Sequence, residues 1–220
     1  MTVDTPVMPK REFNVRNGFD VPLRFSARNV FDVATHPRWA LGVLGRYVLS
    51  GGLRQDLLHR RKVDSLDLMP DLSWEHMKGI RDRWKGNLII KGILRPDDAL
   101  RAKALGADGI VVSNHGGRNL DFAVSPIEVL REISDSVGSS LTVLADSSVQ
   151  RGSDVFKLLA NGAKAVLVGR SMLYGTAAGG QAGALRMMHV LTEELGLTMD
   201  MSGCRSIDDI QQSLLQTAAN

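Results

Sequence analysis

Nine consecutive residues, Ser113-Asn114-His115-Gly116-Gly117-Arg118-Asn119-Leu120-Asp121, set an imidazole and a guanidinium three positions apart with two glycines between them. Imidazole titrates near neutral pH and can take a proton, and arginine holds a carboxylate in a planar fork. The pair suits proton abstraction from a small carboxylate substrate. Gly116 and Gly117 carry no side chain, so a flat ligand can come close. The bland alternative is a loop histidine that caps a helix, and the pattern alone leaves both readings open.

Two further segments suit an anion. Ala145-Asp146-Ser147-Ser148-Val149-Gln150-Arg151-Gly152 and Val168-Gly169-Arg170-Ser171 each follow an apolar run. Backbone N–H groups at such turns, with an arginine beside them, form a phosphate site. Ordinary strand-to-helix turns with surface arginines are the competing reading. Lys91 ends the run Leu88-Ile89-Ile90, and a lysine at a buried strand tip calls for an anionic partner. Asp4, in Thr2-Val3-Asp4-Thr5-Pro6, can pair with a distant histidine and favour its charged form, or be a plain turn residue. Arg11 has no role that its neighbours suggest.

These residues need elements to position them. From Asn87 to Arg170 the chain alternates between short Val/Ile-rich runs and amphipathic stretches. The runs Asn87 to Lys91, Gly109 to Asn114, Leu141 to Asp146 and Ala165 to Arg170 read as buried parallel strands. Pro96 to Leu105, Pro126 to Val137 and Ser153 to Asn161 read as helices ending at Gly106, Gly138 and Gly162. Tandem strand–helix units mean a parallel α/β fold. No Gly-x-Gly-x-x-Gly follows a strand, which weakens the dinucleotide-binding sheet. Polar residues sit at every strand's C-terminal tip, as a TIM (β/α)8 barrel requires, and the barrel is preferred. Such a barrel takes ~250 residues. The first 86 residues hold only a strand-like tip at Thr2 to Val7, a polar stretch to 36, helix or loop over 37–72, and a helix over Ser73 to Trp84. The expectation is the C-terminal part of a barrel, about strands 4–8, in a chain that begins inside a strand.

Composition bounds the rest. The chain has 220 residues, 44% hydrophobic and 23% charged, so it is globular, with one domain over 1–220 expected. Within it, 1–36 carries the strand-4 tip and an active-site loop, 37–86 a helical or loop segment, 87–178 strands 5–8 with their helices, and 179–220 a C-terminal helix and tail. The helix around Leu185, Met188 and Leu191 is expected to pack on the sheet. A net charge of +3 gives little pull on nucleic acid. Cys204 is the single cysteine, which excludes an internal disulfide and a Cys-rich metal cluster. Arg46 and four glycines break the stretch Trp39 to Leu53, so no membrane span is expected. Residues after Met1 lack the apolar core of a signal peptide, and a cytoplasmic location is expected.

The pattern Ser-Asn-His-Gly-Gly-Arg-x-Leu-Asp, then Asp-Ser-x-x-x-Arg-Gly and Gly-Arg, resembles the FMN-dependent 2-hydroxy-acid dehydrogenases and oxidases. Glycolate oxidase, L-lactate dehydrogenase and (S)-mandelate dehydrogenase belong there. Thr2 to Pro6 with Arg11-Glu12 resembles the family's fourth strand, and His36-Pro37-Arg38-Trp39 is most similar to the bacterial mandelate and lactate branch. The resemblance implies FMN as cofactor and oxidation of a small L-2-hydroxy acid to the 2-oxo acid. It implies His115 as base, with Asp4 stabilising its protonated form. It implies Arg118 and Arg11 at the substrate carboxylate, and Lys91 beside the flavin N1 and O2. Thr2 and Ser113 would touch the flavin or ribityl chain, and Asp146, Ser147, Ser148, Gln150, Gly169 and Arg170 would bind ribityl and phosphate.

Two departures follow from the same resemblance. The family's loop reads Asp-(Gly/Ser)-Gly-x-Arg-x-Gly, whereas this chain has Ser148 for the second glycine and Gln150 for the arginine. Losing one charged hydrogen bond costs ~1.5–3 kcal/mol, or roughly ten- to a hundredfold in FMN affinity. The family's first three strands are also missing. An open part-barrel exposes strand edges and an apolar interior, so a homo-oligomer or a complementary fragment is expected. A catalytically inactive remnant that binds a phosphate ligand or a partner chain is the alternative. The electron acceptor would be a quinone, a cytochrome or oxygen. His59-Arg60-Arg61-Lys62 is a solvated cluster or, as in membrane-associated relatives, part of a peripheral contact with the bilayer.

Overall fold

Short β-branched runs become strands here because helices cover them along the chain and bury them. A computed structural model describes residues 1–7, 12, 16–17, 26–51 and 70–216. By its contacts the chain divides into two compact units, Met1–Pro9 with Met69–Asn220, and Lys10–Leu68.

In the first unit, β1 (Ile89–Ile93), β2 (Gly109–Val112), β3 (Thr142–Ala145) and β4 (Ala165–Val166) form one parallel sheet in chain order. Thr2 adds a parallel bridge to Lys91. There Lys91 N donates to Met1 O at 2.8 Å, and Val3 N to Lys91 O at 2.9 Å. The order is therefore the Thr2 segment, β1, β2, β3, β4, as the sequence predicts. β1 carries a bulge: Lys91 pairs with Val111 and Ile93 with Val112, leaving Gly92 over. Its φ of +107° is open to glycine, and a methyl group there would lie 2.6 Å from Asp4 Cβ.

The helices are α1 (Trp74–Arg83), α2 (Pro96–Leu105), α3 (Pro126–Val137), α4 (Gly152–Ala160) and α5 (Arg170–Met201). Local signals explain their ends. Pro96 opens α2, and Gly106 closes it in the left-handed conformation, its N–H donating to Ala102 O and Lys103 O. Ser125 and Glu128 form a capping box on α3. Pro126, Leu130, Ile133 and Val137 are all buried on one helical stripe, and the last three pack with Ile90, Ile110, Val112 and Val143 of the sheet. Truncating such a side chain to alanine costs about 2–5 kcal/mol.

Three expectations need correction. The last strand stops at Val166 rather than Arg170, because it pairs only with β3 and Arg170 already belongs to α5. The C-terminal helix starts at Arg170, not near 179. It is broken at Gly179 and Gly180, where the φ of +57° at Gly180 turns the chain, and its halves cross so closely that a methyl group on Gly175 or Gly183 would strike the other's main chain. That helix packs chiefly on α4, not on the sheet, with Leu191 buried but Leu185 and Met188 exposed. A second core cluster of Phe156, Ala160, Cys204 and Ile210 sits there.

In the second unit, the polar reading of residues up to 36 missed the helix Ala27–Thr35, which Ser26 caps by accepting from Asn29 N at 3.2 Å. Helical turns continue through Pro37–Trp39, a π-helical Ala40–Gly45 and Arg46–Leu49, in the segment expected as helix or loop. Arg11 and the cluster at 59–62 lie outside the described residues.

Candidate active site

The chain leaves β2 through an abrupt turn. Ser113 Oγ accepts from His115 N at 3.0 Å, and Asn114 Oδ1 accepts from Gly117 N at 3.1 Å. His115 itself adopts φ +57°, rare for a residue with a side chain. The turn delivers its Nδ1 to within 3.1 Å of Asp4 Oδ1, a residue 111 positions earlier. An ionised carboxylate only accepts, so it selects the Nδ1–H tautomer and leaves Nε2 with a lone pair. An imidazole and an orienting carboxylate are thus brought together, with the Asp4 side chain only 13% exposed.

The other strand tips interlock beside it. Lys91 Nζ donates to Ser113 Oγ at 2.9 Å and lies 3.3 Å from Asp146 Oδ2, so one ammonium spans three strands. Ser147 Oγ donates to Asp146 Oδ1 at 2.8 Å and accepts from Gly116 N at 3.1 Å. Arg170 Nη2 donates to Gly116 O at 2.9 Å. A side chain at Gly116 would collide with that guanidinium, its Cβ 2.7 Å from Nη2. Ser147 and Ser148 follow each other at φ +82° and +58°, so two residues with side chains stand where glycine is favoured.

Between these tips lies a cleft of about 390 Å³. Lys91, His115, Arg118, Asp146, Ser147, Ser148, Gln150, Gly169 and Arg170 all line it, as the sequence predicts for strand tips. Two expected contacts are placed otherwise. Ser113 has no exposed surface, and its hydroxyl serves Lys91 and the His115 amide instead of facing the cleft. Thr2 meets Lys91 through the main chain and is not in the lining. Asp4 stands behind His115. Arg151, adjacent to Gln150, does not take its place: its Nη2 lies 3.0 Å from Glu194 Oε1 on α5.

The residues present fit a flavin mononucleotide. Helix α5 has Gly169 as its N-cap and no side-chain cap, so its first N–H groups are available to an anion, and Arg170 and Lys91 add positive charge. Val149, Leu167, Val168 and Leu173 supply apolar lining suited to a ring.

The family profile of FMN-dependent dehydrogenase matches residues 1–217. The chain belongs to this family. Among FMN-dependent dehydrogenases and their relatives, it is 41% identical over 225 residues to an L-lactate dehydrogenase of Pseudomonas syringae pv. syringae, covering 99% of this chain and 59% of that protein. An L-lactate dehydrogenase of Azorhizobium caulinodans is 42% identical, with 97% and 58% covered. The crystal structure of the monotopic membrane protein (S)-mandelate dehydrogenase superposes with a TM-score of 0.83 at 37% identity, covering 99% of this chain and 59% of that one. A mandelate oxidase variant with a monooxide FMN adduct reaches 0.62 at 43% identity over 64% of this chain and 45% of that one. The chain therefore spans about 59% of the length of the relatives it matches. Its architecture is that of the FMN-linked TIM barrel, and FMN is the cofactor of the family.

Reading the sequence missed three residues that build this candidate site. Gly92 makes room for Asp4, Asn119 bonds to the Asp4 segment, and Glu194 holds both Arg151 and the amide of Gly152, the latter at 2.8 Å. Asn119 lies inside the histidine segment, so its position offered a signal; Glu194, 42 residues from its partner Gly152, offered none.

Proposed function

We propose that the chain carries the base and the phosphate-binding side of an enzyme oxidising a small L-2-hydroxy acid, lactate- or mandelate-like, to the 2-oxo acid. The observation that carries this reading is the 3.1 Å contact of His115 Nδ1 with Asp4 Oδ1 at a cleft that Arg118 also lines. FMN, when bound, supplies the two-electron acceptor that such an oxidation requires. His115 Nε2 takes the substrate proton, and Asp4 stabilises the imidazolium that results. Arg118 holds the substrate carboxylate. Lys91, tied to Ser113 and Asp146, contributes a fixed positive charge to the same cleft. Gly169, Arg170 and the loop from Asp146 to Gln150 hold the phosphate and ribityl chain.

The test is anaerobic. The protein is titrated with FMN and then mixed with L-lactate or (S)-mandelate. Bleaching of the flavin absorbance is expected; persistent colour with every 2-hydroxy acid sinks the reading. A second reading, ligand binding without turnover, draws on Gln150 and on the Arg151–Glu194 pair, which leave the phosphate loop one cation short. It predicts FMN binding with no bleaching.

Peripheral membrane contact belongs to the proposal. Phe31, Leu41 and Leu49 are exposed apolar side chains on the second unit's helices, Leu41 at 76% and Leu49 at 88%. Among the described residues no helix is long and apolar enough to cross a membrane. Co-sedimentation with anionic phospholipid vesicles, lowered by Leu41→Glu, is the expected outcome; equal sedimentation of both proteins argues against it.

A further inference from the structure

The Asp4 carboxylate does its work only if one of its oxygens faces His115, and nothing in the aspartate itself decides which. Its surroundings do. Gly92, in the bulge of β1, leaves space for it that any side chain there would fill. From the other direction, Asn119 Nδ2 donates to Asp4 O at 2.9 Å and to Thr5 Oγ1 at 2.7 Å, across 115 and 114 positions of sequence. The main-chain oxygen of Asp4 can only accept, so it fixes the amide with its nitrogen facing the Asp4–Thr5 segment. Thr5 Oγ1, having accepted from Asn119, is left to direct its proton at Asp4 Oδ1, 3.4 Å away. That is the oxygen 3.1 Å from His115 Nδ1. Donors thus run from Asn119 through Thr5 to Asp4 Oδ1, where His115 meets them.

The arrangement has a cost, which argues that it is specific. Asn119 Oδ1 and Asp4 Oδ2 are both buried and have no hydrogen-bond partner among the described residues. Native proteins seldom leave such oxygens unpaired. Here the amide surrenders one partner in order to keep both its N–H bonds on the Asp4–Thr5 segment.

We infer that Asn119 is a positioning residue of the active site, tying the loop that carries His115 and Arg118 to the Asp4–Thr5 segment and selecting Oδ1 as the oxygen that faces the imidazole. One loop thereby carries the base, the carboxylate-binding arginine and the clamp on the base's own partner. The inference rests on the catalytic reading for its kinetic consequence but not for its structural one. Two measurements are therefore paired on 15N-histidine-labelled protein and its variants Asn119→Ala and Thr5→Val.

The first needs no turnover: the downfield Nδ1–H resonance of His115 is expected in the wild type, lost in Asn119→Ala and weakened in Thr5→Val. The second is turnover per bound flavin, expected to fall on the order of tenfold in Asn119→Ala, the loss of one aligned hydrogen bond, with KM changed less than about twofold. A merely structural asparagine would lower the melting temperature and the folded fraction while leaving the resonance and turnover per folded molecule intact, and that result overturns the inference. Should Asn119→Ala fail to fold, an unchanged resonance in Thr5→Val overturns it equally. A wild type that bleaches with no hydroxy acid, yet whose resonance depends on Asn119, removes the catalytic reading and leaves the clamp standing.

Discussion

The two ends of the cleft are built to different standards. At the end proposed for the substrate, His115, Asp4, Thr5 and Asn119 are joined by hydrogen bonds between 2.7 and 3.4 Å. At the end proposed for the phosphate, two successive serines sit at positive φ, Gln150 stands where the family resemblance implies an arginine, and Arg151 is engaged with Glu194. Proton transfer tolerates little misplacement, and the first end is held accordingly. An anion can be bound by any sufficient number of N–H groups and cations, so the second end can vary in which it uses. We propose from this comparison that the chain keeps the geometry for chemistry while holding FMN weakly.

The sharpest way to break the contrast is at the base. His115→Gln is expected to lower the rate of flavin reduction by about a hundred- to ten-thousandfold with FMN affinity retained, as stopped-flow absorbance and a binding titration would show. A small rate loss would mean that the substrate end is not the chemical end. Next is Gln150→Arg, expected to tighten FMN binding by roughly ten- to a hundredfold, read by quenching of flavin fluorescence. An unchanged dissociation constant would show that the loop already has the donors it needs.

Smaller still is Ser148→Gly. Relief of the left-handed conformation outweighs the added freedom of the unfolded chain, for a net gain of about 0.5–1 kcal/mol. For a chain of this size that is a rise of about 1–4 °C in melting temperature. A drop would mean that the serine hydroxyl is worth more than the strain. Asp209, outside both ends, is the control with the least effect. Backbone N–H donors from Ser206 and Arg205, joined by the Ser206 hydroxyl, hold its carboxyl below the usual value. A depressed folded value means that its contribution is present above the unfolded carboxylate range and disappears as pH falls through the folded one. Titration by NMR should give a midpoint below ~3.9, and one above it contradicts the bonds.

Most of the framework could be read directly from residues. Pro96–Leu105 and Pro126–Val137 begin and end where proline, serine and glycine place them, because caps act within a turn or two of chain. The overlong last strand and the misplaced start of α5 failed for a related reason. Val168 and Gly169 continue an apolar run, yet among the described residues β4 pairs only with β3, and the helix takes over at Arg170. Lys91, His115, Asp146 and Arg170 were legible because a parallel α/β fold gathers the C-terminal tips of its strands wherever they lie in sequence.

Amino-acid order by itself determined the elements, their parallel arrangement and the set of polar residues at one rim, since these depend on periodicity, caps and crossovers that are local. Only the tertiary structure decided that Asp4 meets His115 across 111 residues, that Asn119 clamps it, and that Arg151 turns to Glu194 instead of the cleft. The physical reason is reach. A hydrogen bond or ion pair between side chains is settled within about 3–4 Å, and only packing of distant elements brings such groups that close.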